Sequence, residues 1–355
     1  MPTSIHGTNG ITFNDGSTQN TRPAVGFRNR IINGTMVVDQ RSSGSAGSAT
    51  NTSRYTSSDR WASLTAAVGA TIWTHQRVLT GDTDFPFASR LQRNAGASNV
   101  GEALITQVIE STNCRDLAGQ SATLSFYALR GADFSPTSSL LTAQVSFGSG
   151  NDQGLVSGTF GSWTSQTFVT LPVNLTTTRT RYSTTVTVPV GTNEILVRFL
   201  VTPTGTAGTN DWFQVTGVQF EAGPSPTDFE RRPFGLELGL CQRYYQKRVG
   251  DSYSTGVVGQ AYGTATVYGS VSFTQEMRRA PDVTLNPVGS AAGTMSFMNN
   301  LLAHPATMGT ISANTIHVNG FQMLGTGYTS GFTAGNASLL YRNGLGEIWN
   351  ASAEL

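Results

Sequence analysis

The stretch Ser121-Ala122-Thr123-Leu124-Ser125-Phe126-Tyr127-Ala128 places a small or apolar residue at every even position. That period of two is what a β-strand needs to cover a core with one face, so the even side is expected to be core and the odd side wet. Ala143, Val145 and Phe147 repeat the pattern. So do Tyr182, Val186, Val188 and Val190 in a Thr-rich run, where β-branched side chains suit a pleated surface. Glu194–Val201 is apolar on both faces and is expected to be a central strand. In residues 212–220 the phase changes: Phe213 and Val215 are odd, Val218 and Phe220 even, with Gly217 between them. A β-bulge near Gly217 is predicted.

The composition agrees with a β-rich globular chain. Its 355 residues suggest two domains, or one with extensions, and its 18 Phe, 10 Tyr and 5 Trp can cover cores that a disordered chain would lack. With 22 basic and 21 acidic residues the net charge is +1, which offers no field for nucleic acid or an anionic membrane. No apolar run approaches the length of a membrane span, and Met1-Pro2-Thr3-Ser4 opens without a signal-peptide pattern. Cys114 and Cys241 lie far apart, without metal-site spacing, so neither a disulfide framework nor a zinc cage is expected. Synthesis in reducing cytoplasm fits best.

Helical periodicity is scarce; the best candidate is residues 236–248, where Leu236, Leu240 and Tyr244 recur every four positions. Before it, Gly223-Pro224-Ser225-Pro226 and Arg232-Pro233 should close a sheet, placing a domain boundary near 235. Residues 41–54, nearly all Ser, Gly, Ala, Thr and Asn, read as an exposed loop or linker. No tandem repeat argues for a propeller or solenoid, and many short strands with frequent turns favour a sandwich or jelly roll.

Catalytic signatures are missing. His6, His75, His304 and His317 have no paired spacing, and neither a nucleophile elbow nor a phosphate loop occurs. Gly325-Thr326-Gly327 reads as a turn. Glycosidase chemistry needs two carboxylates flanking the scissile bond, and the candidates are Asp82, Asp84, Glu102, Glu110, Asp211 and Glu221. Asp82-Thr83-Asp84 is also a weak calcium pattern; a solvated loop is the simpler reading. No other cofactor is expected. Sugars bind aromatic platforms flanked by polar groups, and the candidates in predicted turns are Tyr253, Tyr262, Tyr328, Phe332 and Trp349. Trp61, and Trp212 with it, are expected to be core.

Several motifs resemble bacteriophage tail fibres and related receptor-binding tail proteins, of the marine and cyanobacterial phage type. Gly10-Ile11-Thr12-Phe13-Asn14-Asp15-Gly16-Ser17-Thr18-Gln19 resembles their strand-turn-strand, and Asn14-Asp15-Gly16 is itself a hairpin signal. Asn29-Arg30-Ile31-Ile32-Asn33-Gly34 with Asp39-Gln40-Arg41 and Asp59-Arg60-Trp61 resembles the opening of the family's jelly-roll module. Ile109-Glu110, Asp116-Leu117-Ala118-Gly119, residues 218–223 and Phe229-Glu230-Arg231-Arg232-Pro233 are similar to its later part, which also resembles jelly-roll carbohydrate-binding modules. Glu237-Leu238-Gly239-Leu240-Cys241-Gln242-Arg243-Tyr244-Tyr245-Gln246-Lys247 is similar to the junction that follows the module, and Ala351-Ser352-Ala353-Glu354-Leu355 to the family's ending.

The resemblance implies a virion component, assembled in the host cytoplasm as a homotrimer, that joins the tail or baseplate through its N-terminus and adheres to a bacterial surface polysaccharide. The expected fold is all-β: an attachment segment (1–29), a jelly-roll sandwich (30–233), a helical junction (234–248) and a C-terminal β-sandwich tip (249–355) that contacts the receptor. Leu236, Leu240 and Tyr244 are expected near the trimer axis. The expected function is adhesion without catalysis, nucleic acid or membrane insertion. The rivals are a structural baseplate or adaptor part, a polysaccharide depolymerase, and a secreted carbohydrate-binding module.

Overall fold

The computed structural model describes residues 4–6, 10–12, 18–19, 27–49, 55–66, 72–155, 163–250, 257–285, 295–298, 310–328, 332–342 and 346–355. The regular structure of the described residues is almost entirely antiparallel β. Three short strands, β1 (Ser4–His6), β2 (Gly10–Thr12) and β3 (Thr18–Gln19), pair in that order. The expected Asn14-Asp15-Gly16 turn between β2 and β3 lies outside the described residues, as does most of residues 1–26.

A jelly-roll sandwich follows, built from β4 (Gly47–Ala49), β5 (Ala62–Thr65), β6 (Trp73–Leu79), β7 (Phe87–Arg93), β8 (Ala103–Ile109), β9 (Ser121–Arg130), β10 (Leu140–Gly148), β11 (Thr167–Asn174), β12 (Thr180–Thr187), β13 (Glu194–Val201) and β14 (Trp212–Ala222). One sheet has the order β11-β10-β13-β8-β5, the other β12-β9-β14-β7-β6-β4. The inward residues of both interdigitate: Ala143, Val145 and Phe147 face Leu124, Phe126 and Ala128 across one core that also takes Trp61, Trp73, Phe199 and Phe213. Phe126 and Phe199 meet edge to face at 4.7 Å, a geometry worth about 0.5–1.5 kcal/mol beyond area burial. Glu194–Val201 occupies the middle of its sheet, which explains its two apolar faces.

The bulge falls at Gly217. The β14–β9 register shifts between Thr216 and Gln219, and Gly217 has φ +57°. A Cβ there would sit 2.8 Å from the Phe85 ring and 2.9 Å from that of Tyr127. Both the left-handed backbone and the aromatic lid therefore require glycine.

Three local expectations change. The odd face of β9 is wet only at its ends: Ser121 is exposed and Tyr127 half-buried, but Thr123 and Ser125 are buried, and the Thr123 hydroxyl donates to the Gly223 carbonyl at 2.7 Å. Val190 lies beyond the end of β12 and is 90% exposed, so it does not extend that strand's buried row. Part of the low-complexity run 41–54 is not loop, because Gly47–Ala49 pairs with β6 and buries Ala49.

The junction is one helix, α1 (Phe234–Gln242), not a helix through 248. Residues 245–250 form β15 (Tyr245–Gly250), which pairs with β23 (Gly346–Ser352). The four-residue spacing misleads because α1 buries Glu237 and Cys241, whereas Leu236 is 52% exposed.

The second sandwich contains β15, β16 (Val258–Ala261), β17 (Thr266–Ser272), β18 (Asp282–Leu285), β19 (Met295–Met298), β20 (Thr310–His317), β21 (Gly320–Thr326), β22 (Ala337–Arg342) and β23. Its sheets run β15-β23-β18 and β19-β22-β16-β17-β21-β20. Cβ positions built on Gly259, Gly269 and Gly325 would each come within 3.1 Å of the Phe297 ring. Three missing side chains thus make the seat for one aromatic. No helix among the described residues is long and apolar enough to cross a membrane.

Candidate functional site

Residues from several of the motifs that carry the resemblance meet where the two sandwiches join. The Asn33 side-chain amide donates to the carbonyls of Val38 and Asp59 at 2.8 and 2.9 Å, and the Asn33 backbone carbonyl accepts from the Trp61 indole at 3.0 Å. Its backbone N–H donates to Glu237 of α1. A Cβ on Gly34 would sit 2.2 Å from the Val218 carbonyl oxygen. Arg60 stacks on the Tyr244 ring at 3.5 Å and pairs with Glu354, which also accepts from Arg41 at 2.9 Å. Glu110 takes Arg243 through both carboxylate oxygens, at 2.8 and 3.2 Å, and the Tyr244 hydroxyl at 2.7 Å. One apolar cluster crosses the same seam, with Ile32, Val38, Val108 and Leu196 from the first sandwich meeting Cys241, Tyr244 and Leu355. These motifs are structural: their polar atoms are spent on one another.

The same holds for most of the six candidate acids. Asp211 is fully buried, accepting from the Ser135 hydroxyl at 2.7 Å and pairing with Arg93 at 3.4 Å. Glu221 is fully buried under Thr227 and Gln219. Glu110 belongs to the seam. Burial pushes the Glu102 carboxyl up, opposed by the charge of Arg198. Asp82 closes its own turn: its carboxylate accepts from the backbone N–H of Asp84 at 2.7 Å and pairs with Arg179. The Asp84 hydrogen bond, with those from Phe85 and Arg179, holds the Asp82 carboxyl below its ordinary range. Asp84 is exposed, near Arg231. Asp82 and Asp84 are thus met by arginines, an arrangement that calcium would have to displace. Among the described residues no group of three or more His, Cys, Asp or Glu is placed to hold a metal.

The predicted aromatic platforms separate. Tyr253 lies outside the described residues. Tyr262 is 76% exposed, edge to face with Tyr268 at 5.9 Å. Tyr328 and Phe332 are core: they pack on each other at 4.9 Å, and the Tyr328 hydroxyl accepts from the Phe297 N–H at 3.2 Å. Trp349 is also largely buried, against Phe273 and Phe321. Its remaining surface lines a cleft. Of the residues expected near a trimer axis, Leu236 is exposed, Leu240 packs partly against the junction cluster, and Tyr244 is fully buried. They do not form one outward stripe, because the chain leaves the helix before Tyr244.

The cleft is the strongest candidate for ligand contact. It has a volume of about 160 Å³ and is lined by Gln242, Gln246, Lys247, Arg248, Val257, Ser270, Val271, Ser272, Thr274 and Trp349. It lies where the end of α1, β15, β17 and β23 converge. Gln246 builds its wall, donating to the carbonyls of Gln242 and Gln275 at 3.1 and 2.6 Å and accepting from the Thr274 N–H at 2.9 Å. Ser270, Ser272, Thr274 and Arg248 remain exposed. A few polar groups beside an indole can orient a small polar ligand.

The jelly roll offers less. The outer face of its five-stranded sheet carries a cross-strand row, Gln144, Arg198 and Thr106. All three are buried, Arg198 donating to Gln144, and Leu155 and Trp163 pack on the apolar residues of that face. A cavity of about 200 Å³ at its rim, lined by Pro136, Leu140, Leu200 and Val201 among others, has no charged side chain.

No protein-family model matches the chain, and no curated protein matches it. Among solved structures it is similar to the enzymatically active domain of bacteriophage CBA120 tailspike protein 4, at 17% identity and a TM-score of 0.32, over 46% of this chain and 19% of that one. The chain therefore spans about a fifth of the tailspike domain. It is also similar to a family 4 carbohydrate-binding module, at 14% identity and TM-score 0.32, over 54% of this chain and 98% of that one. A family 61 carbohydrate-binding module in complex with β-1,4-galactotriose aligns at 10% identity and TM-score 0.28, over 46% of this chain and 88% of that one.

Proposed function

We propose that this chain is a carbohydrate-binding adhesin, a bacteriophage tail-fibre component that holds a bacterial surface polysaccharide without cleaving it. The observation that carries this reading is the polar cleft beside Trp349, whose described lining offers hydroxyls, amides and cations but no carboxylate. Engagement of most candidate acids in hydrogen bonds and ion pairs supports the non-catalytic part of it, because a general acid and base must be free to exchange protons. In this reading residues 1–29 join the tail or baseplate, the jelly roll is the stem, and the second sandwich is the tip. Homotrimerisation would multiply weak single sites by about 10²–10⁴ through avidity. The virion is then its location, after assembly in the host cytoplasm.

The test incubates the purified protein with bacterial surface polysaccharides and follows both retained protein and newly formed reducing ends. Retention without reducing ends is expected. Cleavage would overturn the non-catalytic reading in favour of a depolymerase. A structural tail part is the second reading, favoured by the convergence of the resemblance motifs on the seam instead of the cleft; silence in both channels would select it.

A further inference from the structure

We propose that the cleft selects acidic saccharides, with Arg248 as the residue that holds the sugar's anionic group. This rests on the adhesin reading. Among the described residues Lys247 and Arg248 are the only charged ones in the cleft lining, with no Asp or Glu beside them. The two cations are not equivalent. Lys247 lies 3.8 Å from Glu347 and donates to the Arg41 carbonyl at 3.4 Å, so its charge is already met. Glu347 is in turn fixed by the Asn350 amide at 2.6 Å. Arg248 is exposed and makes no ion pair or side-chain hydrogen bond among the described residues.

The backbone fixes where that charge stands. Arg248 pairs in register with Trp349 across β15 and β23, and the register shifts just beyond it, between Arg248 and Val249. The guanidinium therefore belongs to the same two-strand position as the indole, with the Ser270, Ser272 and Thr274 edge across the cleft. A guanidinium takes a carboxylate through two parallel N–H bonds. A neutral sugar can accept hydrogen bonds from those donors through its hydroxyls but cannot form the bidentate ion pair. The ring of a uronic acid could use the hydroxyls and the small exposed edge of the indole while its carboxylate took Arg248. Sulfate or phosphate on a sugar has the same chemistry, and the test separates them.

Alginate, polygalacturonate and hyaluronan are presented to the full chain as isolated and after chemical reduction of their carboxyl groups, beside dextran sulfate, neutral dextran and mannan. Retention on at least one uronate polymer, lost on its reduced form and weakened by salt, is expected; retention on dextran sulfate instead identifies a sulfated sugar and still supports an anionic ligand. Arg248→Gln should weaken acidic-polymer binding about tenfold or more, the scale of one charge-assisted pair, while Lys247→Gln changes it less. Equal binding to reduced and unreduced polymers, binding to dextran or mannan alone, or an unaffected Arg248→Gln would overturn the proposal and leave the adhesin reading standing. Binding to none of the polymers would overturn both.

Discussion

Removing the Glu354 carboxylate should separate the two sandwiches energetically. Arg60 is 1% exposed, its guanidinium stacked on Tyr244 at 3.5 Å, and it donates to the Val108 carbonyl at 2.8 Å. Its counter-charge is Glu354, contributed from 294 residues away. Glu354→Gln keeps the shape and deletes the charge, leaving Arg60 buried without compensation, which costs about 3–5 kcal/mol for such pairs. The Arg41–Glu354 pair is more accessible and adds about 0.2–1 kcal/mol. The total is roughly 4 kcal/mol, a large share of the about 5–15 kcal/mol that stabilises a folded domain. In urea the midpoint of the transition monitored at the seam should fall by about 1 M or more. Replacing the pair with apolar residues, Arg60→Met with Glu354→Leu, should recover most of the loss, because a buried ion pair is worth little more than well-packed apolar groups. A Glu354→Gln change within about 0.5 kcal/mol of the parent, or a double variant no better than the single one, would refute the reasoning.

Other outcomes follow from named positions. His75 is fully buried, its Nε2 2.6 Å from the Ser89 hydroxyl, and burial lowers its pKa to about 4 against the partial opposition of Asp39. The unfolded chain binds that proton below about 6.5, so stability should fall by about 3 kcal/mol as pH drops from 6.5 towards 4. Asp59, raised to about 6 by burial, acts in the opposite sense, gaining stability as pH falls from about 6 to 4; the difference in urea stability between the parent and His75→Gln isolates the histidine. Gly217→Ala should cost about 1–3 kcal/mol through its clash with Phe85 and Tyr127 and its positive φ, measured as a lower thermal midpoint. In the proposed homotrimer, Leu236→Asp on the exposed side of α1 should lower the particle mass towards that of a monomer in light scattering; an unchanged mass removes α1 from the interface.

The candidate site was less legible than the fold. Aromatic character alone could not tell Tyr262, which stands in water, from Tyr328 and Phe332, which fill the second core. The indole of Trp349 is visible in the sequence, but the spacing that suggests a helix through 248 hides that Lys247 and Arg248 stand on a strand beside it. A signal was present: Lys247-Arg248 precedes Val249-Gly250, a β-branched residue and a glycine that oppose helix continuation. The seam was equally hidden, because Asp59-Arg60-Trp61 carries no mark that its arginine belongs to Glu354.

Local chemistry in the sequence was sufficient for whatever depends on neighbours along the chain. The two-residue period located the core faces of β9 and β10, the doubly apolar Glu194–Val201 marked a central strand, and the phase change at Gly217 announced the bulge. These follow from strand geometry, which is the same wherever the strand packs. Tertiary structure alone decided that the polar residues Thr123 and Ser125 of β9 were covered, and which charges met across the seam. Those outcomes depend on loop-closed contacts between distant residues, and neither the register of β15 against β23 nor the burial of Arg60 beneath Tyr244 has a periodicity to betray it.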